Sequence, residues 1–287
     1  MSKVFQGTTT NNVTELTLQN EGGNIGTQTI VWDGTQGTID QVIGDIPNNW
    51  KDGDDSLKQL QIGSSCTSIG SHAFYYCSGF TGALTIPNSV TSIKFQAFEN
   101  CSGLTGSLTI PDSVTFIGYA AFQGCSGLNG SLTLPTNPNF TSIRNSAFRE
   151  CTGLTGSLVI PDSVTTIGSF PFYQCSGLTG SLTIPDSVTS IGYAAFQGCT
   201  NLTGSITIGN NVTNISDQAF GYCIGVNTLY TNADVASWIG IGGLTGTSSL
   251  TTIYVGPDAV GTYTSTFQQG SGMTVLPWNN YPNPIPN

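Results

Sequence analysis

The sequence predicts a β-rich solenoid of about seven 24-residue coils, flanked by non-repeat segments at both ends. Three observations predict it. Cys77, Cys101, Cys125, Cys151, Cys175, Cys199 and Cys223 follow one another at intervals of 24, 24, 26, 24, 24 and 24 residues. Ile86, Ile110, Leu134, Ile160, Ile184 and Ile208 repeat with the same spacing, and so do Ala97-Phe98, Ala121-Phe122, Ala147-Phe148, Ala195-Phe196 and Ala219-Phe220. A fixed period of this size marks units too small to bury their apolar face alone, which gain a core by stacking.

Taken in order, residues 1–56 read as an N-terminal cap or attachment segment, with VTELTLQ and QTIVW as strands and DQVIGDI as a short helix. Residues 57–226 are the solenoid. In the coil that starts at Leu104, Leu108 and Ile110 alternate with Ser107 and Thr109, so a short strand turns aliphatic groups inward and hydroxyls outward. Pro111-Asp112-Ser113 makes a turn, in which the Asp112 side chain is suited to capping backbone. Val114 and Ile117 return to the core on a second extended segment, Gly118 permits a bend, and Ala121-Phe122 with Cys125 forms a turn of helix or a tight arc. The 26-residue interval arises where PTNPNF at 135–140 replaces PDSV, an insertion placed in a turn. Residues 227–287 read as a C-terminal cap, with a degenerate coil at LTTIYVGPDAVGTY and a Pro-rich tail at LPWNNYPNPIPN.

The stretches IPNSVTSIKFQAFENC and IPDSVTSIGYAAFQGC resemble the repeat core of the BspA-type (bacterial surface antigen) leucine-rich repeat family. The resemblance covers residues 57–226. It implies a leucine-rich repeat solenoid and the role common in that family, a surface adhesin or binding protein; similar repeats also occur in large viruses and phages.

Composition narrows the function. Lys+Arg is 6 and Asp+Glu is 16 in 287 residues, a net charge of −10. Charged residues make up 8% of the chain, against about 25% in an ordinary domain, so Ser, Thr, Asn, Gln and Gly must cover the surface. Six cations cannot neutralise a run of phosphates, which argues against nucleic-acid binding. No apolar stretch reaches the 18 residues of a membrane span, and MSKVFQGTTTNNVTEL does not read as a secretory signal. Surface-exposed and virion-associated locations both remain open.

The chemical inventory points away from catalysis. The seven periodic cysteines lack zinc spacing, and the eighth, Cys66, stands where other coils place Val90, Val114, Val164, Val188 and Val212. They read as buried free thiols, and Cys151→Ser is expected to cost about 1–3 kcal/mol by burying a hydroxyl without a partner. Asn88, Asp112, Asp162, Asp186 and Asn210 form a column with one side chain per coil, which reads as turn capping instead of a calcium site. The only histidine, His72, occupies a position held elsewhere by Gln96, Ala120 and Gln218, and so is not expected to be catalytic. No cofactor or metal is implied.

Variation within the repeat singles out one edge. GSLTIPDSVT is identical at 106–115 and 180–189, whereas the stretch before each cysteine changes from coil to coil. That edge carries Lys94, Arg144 and Arg149 with Glu99 and Glu150, and the rings of Tyr75, Tyr76, Phe95, Tyr119, Phe170, Tyr173, Tyr193 and Tyr222. Tyr and Arg are frequent interface anchors. The expected function is non-catalytic binding of a protein or glycan on a cell surface through this edge. The alternative is a structural or appendage component of a virus or phage particle, whose partners are other virion proteins. A further alternative is ice binding through the Ser-x-Thr face formed by Ser107/Thr109, Ser131/Thr133, Ser181/Thr183 and Ser205/Thr207.

Overall fold

A computed structural model describes residues 2–5, 28–32, 38–39, 58–62, 66–231, 249–256 and 274–277. Over residues 66–231 it is a parallel β-solenoid of about seven turns, most of them contributing two short strands and an arc, with isolated bridges at Gly156 and Val159 standing for the first strand of one coil. The second strands stack as Thr38–Ile39, Ser68–Ile69, Ser92–Ile93 and Phe116–Ile117, then as Ser142–Ile143, Thr166–Ile167, Ser190–Ile191 and Asn214–Ile215. Ile69, Ile93 and Ile117 lie opposite one another in register, as do Ile143, Ile167, Ile191 and Ile215. No ladder pairing joins the two groups among the described residues, and the coil between them holds the 135–140 insertion.

The insertion is absorbed at the surface. The Thr136 amide donates to Asp112 Oδ1 (2.7 Å), Asn137 Nδ2 donates to the Asp112 carbonyl (2.8 Å), and the Asn139 amide donates to Asn137 Oδ1 (2.8 Å). Phe140 then enters the column that valines occupy in neighbouring coils, fully buried.

The first strands form a longer ladder toward the C-terminal end. Gly180–Ile184, Leu202–Ile208, Val226–Thr231, Thr252–Val255 and Thr274–Pro277 pair in parallel, in that order. At the other end Ser2–Phe5, Gln28–Trp32 and Lys58–Ile62 form a parallel three-stranded sheet. Parallel pairing therefore extends on both sides of the seven coils. The expected strand at VTELTLQ, the helix at DQVIGDI and the end of the tail beyond 277 lie outside the described residues.

The arc resolves the choice between helical turn and tight bend in favour of the bend. Its backbone amides alternate between their own coil and the next. Ala121 N donates to Gly118 O (3.3 Å) and Cys125 N to Phe122 O (3.2 Å), while Phe122 N reaches Ala147 O (2.8 Å) and Gly124 N reaches Arg149 O (2.8 Å). This path needs a left-handed residue twice per coil, four positions apart. Glycine fills it at Gly124 and Gly198, but twelve described non-glycine residues also adopt it, from His72 (φ 59°) to Tyr222 (φ 57°). Each departs from the preferred handedness at a cost of about 1–2 kcal/mol, which the coil-to-coil bonds must offset.

Two internal ladders run the length of the stack. Phe74, Phe98, Phe122, Phe148, Phe172, Phe196 and Phe220 stack with ring centroids 5.1–5.6 Å apart and planes within 17° of parallel. Beside them all eight cysteines are free and buried. Each of six thiols donates to a phenylalanine carbonyl of the preceding coil, as Cys101 Sγ to Phe74 O (2.9 Å) and Cys151 Sγ to Phe122 O (3.0 Å). A serine at 151 would meet that same acceptor, so the expectation of an unpartnered hydroxyl is corrected.

Coils also approach closely behind the arc. A Cβ at Gly153 would lie 2.5 Å from the Leu128 carbonyl oxygen and 2.6 Å from that of Ser126. Gly153→Ala should therefore destabilise by about 1–3 kcal/mol, read from the denaturant midpoint, because backbone and not a side-chain tip must yield. Burial pushes the six laddered thiols far above their ordinary value of 9.0, Cys151 and Cys223 to about 12. Since the native state favours the neutral thiol, their stabilisation is complete below about pH 9 and is lost as pH rises toward the folded values. Each thiol should remove about 1.4 kcal/mol per pH unit in that window. Equilibrium unfolding at graded alkaline pH checks this, and a flat profile would count against the buried column.

Candidate functional site

The same bonds that build the arc decide what it displays. Inward positions are taken by Ala, Phe and Cys, and most of the side chains between them, Glu99 excepted, project outward and stack in columns along the solenoid. Tyr75, Tyr76, Phe95, Tyr119, Tyr193 and Tyr222 are all exposed, Tyr76 and Tyr222 to 49% and 51%. With Phe116, seven of the nine exposed large apolar or aromatic side chains in the described residues lie on the arc or on the strand leading into it. The exceptions are Val159, which interrupts the Ser-x-Thr face, and Ile224, just beyond Cys223.

The candidate residues gather into two clusters. Toward the N-terminal coils the His72 ring meets Tyr75 (5.3 Å) and Phe95 (5.0 Å), Tyr75 meets Tyr76 (4.5 Å), and Phe95 stacks on Tyr119 (5.2 Å, 17°). Farther along, Phe170 packs edge-on against Tyr173 (5.7 Å) and Tyr193 (5.1 Å). The Arg149 guanidinium lies over Tyr173 (5.0 Å) and Phe170 (5.5 Å) and pairs with Glu150 (3.0 Å). Phe170, Tyr173, Arg149, Glu150 and Lys94 are half-buried. Tyr222 stands apart at the last arc.

Glu99 does not belong to the displayed set. It is buried, at 6% exposure, where Gln96 Nε2 donates to its carboxylate and Gln123 Nε2 approaches Oε1 at 3.4 Å. His72 Nε2 bonds Gln96 Oε1 (2.8 Å), which extends this polar layer beneath the aromatic cluster. Its charge concealed the burial in the sequence, because the arc turns successive side chains in and out without a strand or helix period.

One displayed residue escaped sequence reasoning. Phe116 is exposed, and Arg144 places its guanidinium 4.5 Å from the Phe116 ring centroid. A signal was available, for the same column holds Ser68, Ser92, Ser142, Thr166, Ser190 and Asn214 in the other coils.

The remaining columns serve the stack. Asp112 Oδ1 accepts from the Thr136 amide and Asp186 Oδ1 from the Asn210 amide (2.7 Å each), so these carboxylates cap the turn of the following coil. Ser113 and Ser187 hydroxyls donate to the carbonyls of Val90 and Val164 (2.7 Å each). Among the described residues no group of three or more His, Cys, Asp or Glu side chains is placed to hold a metal ion, and no helix is long and apolar enough to cross a membrane.

Burial, the largest influence, raises the Glu99 pKa above its ordinary 4.5, and the Glu150 charge adds to this against the opposing effects of Gln96, His72 and Arg149. The fold therefore favours the protonated acid, a stabilisation complete below about pH 4.5 and lost as pH rises through the folded value. Glu99→Gln should raise the denaturation midpoint at pH 7 and leave it nearly unchanged near pH 4. Chemical denaturation at both pH values checks the sign, and a loss of stability at pH 7 would contradict it.

Comparison with known proteins agrees with this architecture. The model of the BspA type leucine rich repeat region matches residues 45–179 and 174–274, in six copies. No curated protein matches the chain. Among solved structures, a leucine rich repeat protein of T. pallidum is 27% identical, with a TM-score of 0.48 over 65% of this chain and 79% of that one. A leucine rich cell surface protein of Faecalibacterium prausnitzii is 22% identical, with a TM-score of 0.35 over 88% and 83%. The pneumococcal vaccine antigen PcpA is 15% identical, with a TM-score of 0.41 over 90% and 81%. With a period of 24 residues, two parallel ladders and a family match over more than half its length, the chain belongs to the BspA-type leucine-rich repeat family.

Proposed function

We propose that this protein is a non-catalytic recognition module, displayed on a surface, that binds a protein or glycan through the arc face of its solenoid. The observation that carries this reading is the segregation of exposed rings. Tyr75, Tyr76, Phe95, Phe116, Tyr119, Tyr193 and Tyr222 crowd the arc side, whereas the first-strand face presents hydroxyls such as Ser107, Ser131, Ser181 and Ser205. Aromatic side chains offer large contact area with few rotatable bonds, so ordering them on binding costs little entropy. The rings are held beforehand by one another and by a backbone whose arc amides bond the next coil, which lowers the cost of association further.

The family's common role in surface adhesion supports the same reading. So does the chemistry of the cysteines. The laddered thiols are buried, and burial pushes them well above the ordinary thiol value, the opposite of an activated cysteine. His72 shares its Nε2 with Gln96 in a variable column.

Binding of the full chain to whole cells and to arrays of glycans and extracellular proteins tests the proposal. The triple variant Tyr76→Ser/Tyr119→Ser/Tyr193→Ser should weaken capture by at least about tenfold, roughly 1.4 kcal/mol. Thr109→Lys/Thr133→Lys on the strand face should leave it intact. Loss through the strand-face pair with full retention by the arc variant would overturn the assignment of the binding face.

A further inference from the structure

One arc column carries three exposed rings, Phe95, Tyr119 and Tyr193, and is interrupted between the second and the third. Backbone bonds between coils set its order, Gln96 N to Tyr119 O, Ala120 N to Asn145 O, Ser146 N to Ser169 O and Phe170 N to Tyr193 O. Tyr119 and Tyr193 are thus three coils apart, roughly 14 Å at strand spacing, with only Asn145 and Ser169 between them. The flanking column holds Arg144, Gly168 and Gly192, so two of its three positions have no side chain. The result is a gap in the arc with a ring at each end. Phe95 braces Tyr119 (5.2 Å) and Phe170 braces Tyr193 (5.1 Å).

The floor of the gap is fixed in advance and offers free donors. Asn145 Oδ1 accepts from the Ser169 amide (2.9 Å), which orients the side-chain amide, and a Cβ at Gly168 would collide with that oxygen. Among the described residues nothing bonds Asn145 Nδ2 or the Ser169 hydroxyl. Arg144 borders this floor. It is exposed, its guanidinium rests 4.5 Å from the Phe116 ring centroid, and no carboxylate pairs with it among the described residues. A guanidinium laid over a ring keeps its N–H donors free at the rim while losing side-chain freedom in advance. Arc carboxylates leave its charge standing. Glu99 is buried against Gln96 and Gln123, Glu150 is taken up by Arg149, and Asp217 lies three coils beyond Arg144, farther than a Debye length of about 8 Å at physiological salt.

We infer that the gap between Tyr119 and Tyr193 receives the end of a glycan that terminates in one carboxylate-bearing sugar of the sialic acid type. Arg144 takes the carboxylate, Asn145 Nδ2 and the Ser169 hydroxyl meet the polar substituents, and the two tyrosines bracket the sugar rings. This inference rests on the arc being the binding face, as proposed above. One unpaired guanidinium suits one acid, and planar Arg–carboxylate pairing supplies the specificity. A polymer with an acid on every residue is disfavoured, because along this column it would run from Tyr193 onto the exposed Asp217. The arc also offers a peptide less. Its backbone groups are engaged between coils, as in Ser146 N to Ser169 O (3.0 Å) and Phe170 N to Tyr193 O (2.9 Å), so an added strand finds no open edge.

The experiment measures binding of the full chain to polyacrylamide conjugates of sialyllactose, of lactose and of a short peptide with a single glutamate, by biolayer interferometry. The sialyllactose conjugate should bind and be released by high salt, with lactose at least about tenfold weaker. Arg144→Gln should weaken sialyllactose binding by at least about tenfold, Arg144→Lys by less, and Asp162→Asn not at all. Ser169→Tyr should abolish it by filling the gap, in a column that already accepts tyrosine at 119 and 193. Absence of sialyllactose binding, equal binding of lactose, or indifference to Arg144→Gln or Ser169→Tyr would each overturn the inference. A peptide conjugate that matches sialyllactose would overturn it in favour of an acidic protein. The broader proposal fails separately, only if the triple arc variant still captures cells normally.

Discussion

The structure depends on hydrogen bonding between equivalent backbone groups of successive coils. Thr115 N reaches Thr91 O, Phe122 N reaches Ala147 O, and Thr189 N reaches Thr165 O, so residue and repeat-mate are held at strand distance. Every coil must follow nearly the same path as its neighbours, or these bonds fail on both sides at once. That requirement is strong enough to hold twelve non-glycine residues in left-handed geometry among the described coils. No coil could keep such a conformation alone. Stability is therefore shared between neighbours, as expected of a quasi-one-dimensional stack.

Superposition of coils turns a sequence pattern into columns, and each column has one environment. Phenylalanine rings stack face to face within the column because their spacing is the strand spacing plus a slight slide. Cysteine fits beside them for a reason that hydrophobicity alone does not supply. Its thiol is small enough for the bend and polar enough to bond the carbonyl that the preceding coil leaves within reach. Valine, serine and aspartate divide the turn in the same way, one filling the core, one bonding backward to a valine carbonyl, one capping forward. The two-residue insertion survives because it lengthens this turn and not the arc, with Phe140 restoring the core contact.

Function is free to vary only where a column carries no such duty. On the arc the outward positions make few obligatory coil-to-coil side-chain bonds, and there the chain places its rings and its repeat-region cations. The proposed recognition face is thus a product of the scaffold's constraints. Side chains inside cannot change without disturbing neighbours, whereas those outside change coil by coil.

The period, the inward columns, the cysteine burial and the variable edge were legible in the sequence, because a 24-residue identity of environment writes the same residue repeatedly. Cys66 could even be placed by its exchange with valine. Tertiary structure alone decided the rest. It showed that the thiols are hydrogen-bond donors, since their acceptors belong to another coil. It buried Glu99 against the side-chain amides of Gln96 and Gln123 and joined Arg144 to Phe116 across 28 positions. It also carried parallel pairing into the flanks, through the degenerate coil at Thr252–Val255 and on to Thr274–Pro277, and at the other end from Lys58–Ile62 to Gln28–Trp32. In each case the deciding contact lies between coils, and the sequence of one coil does not say which way an irregular bend will turn its side chains.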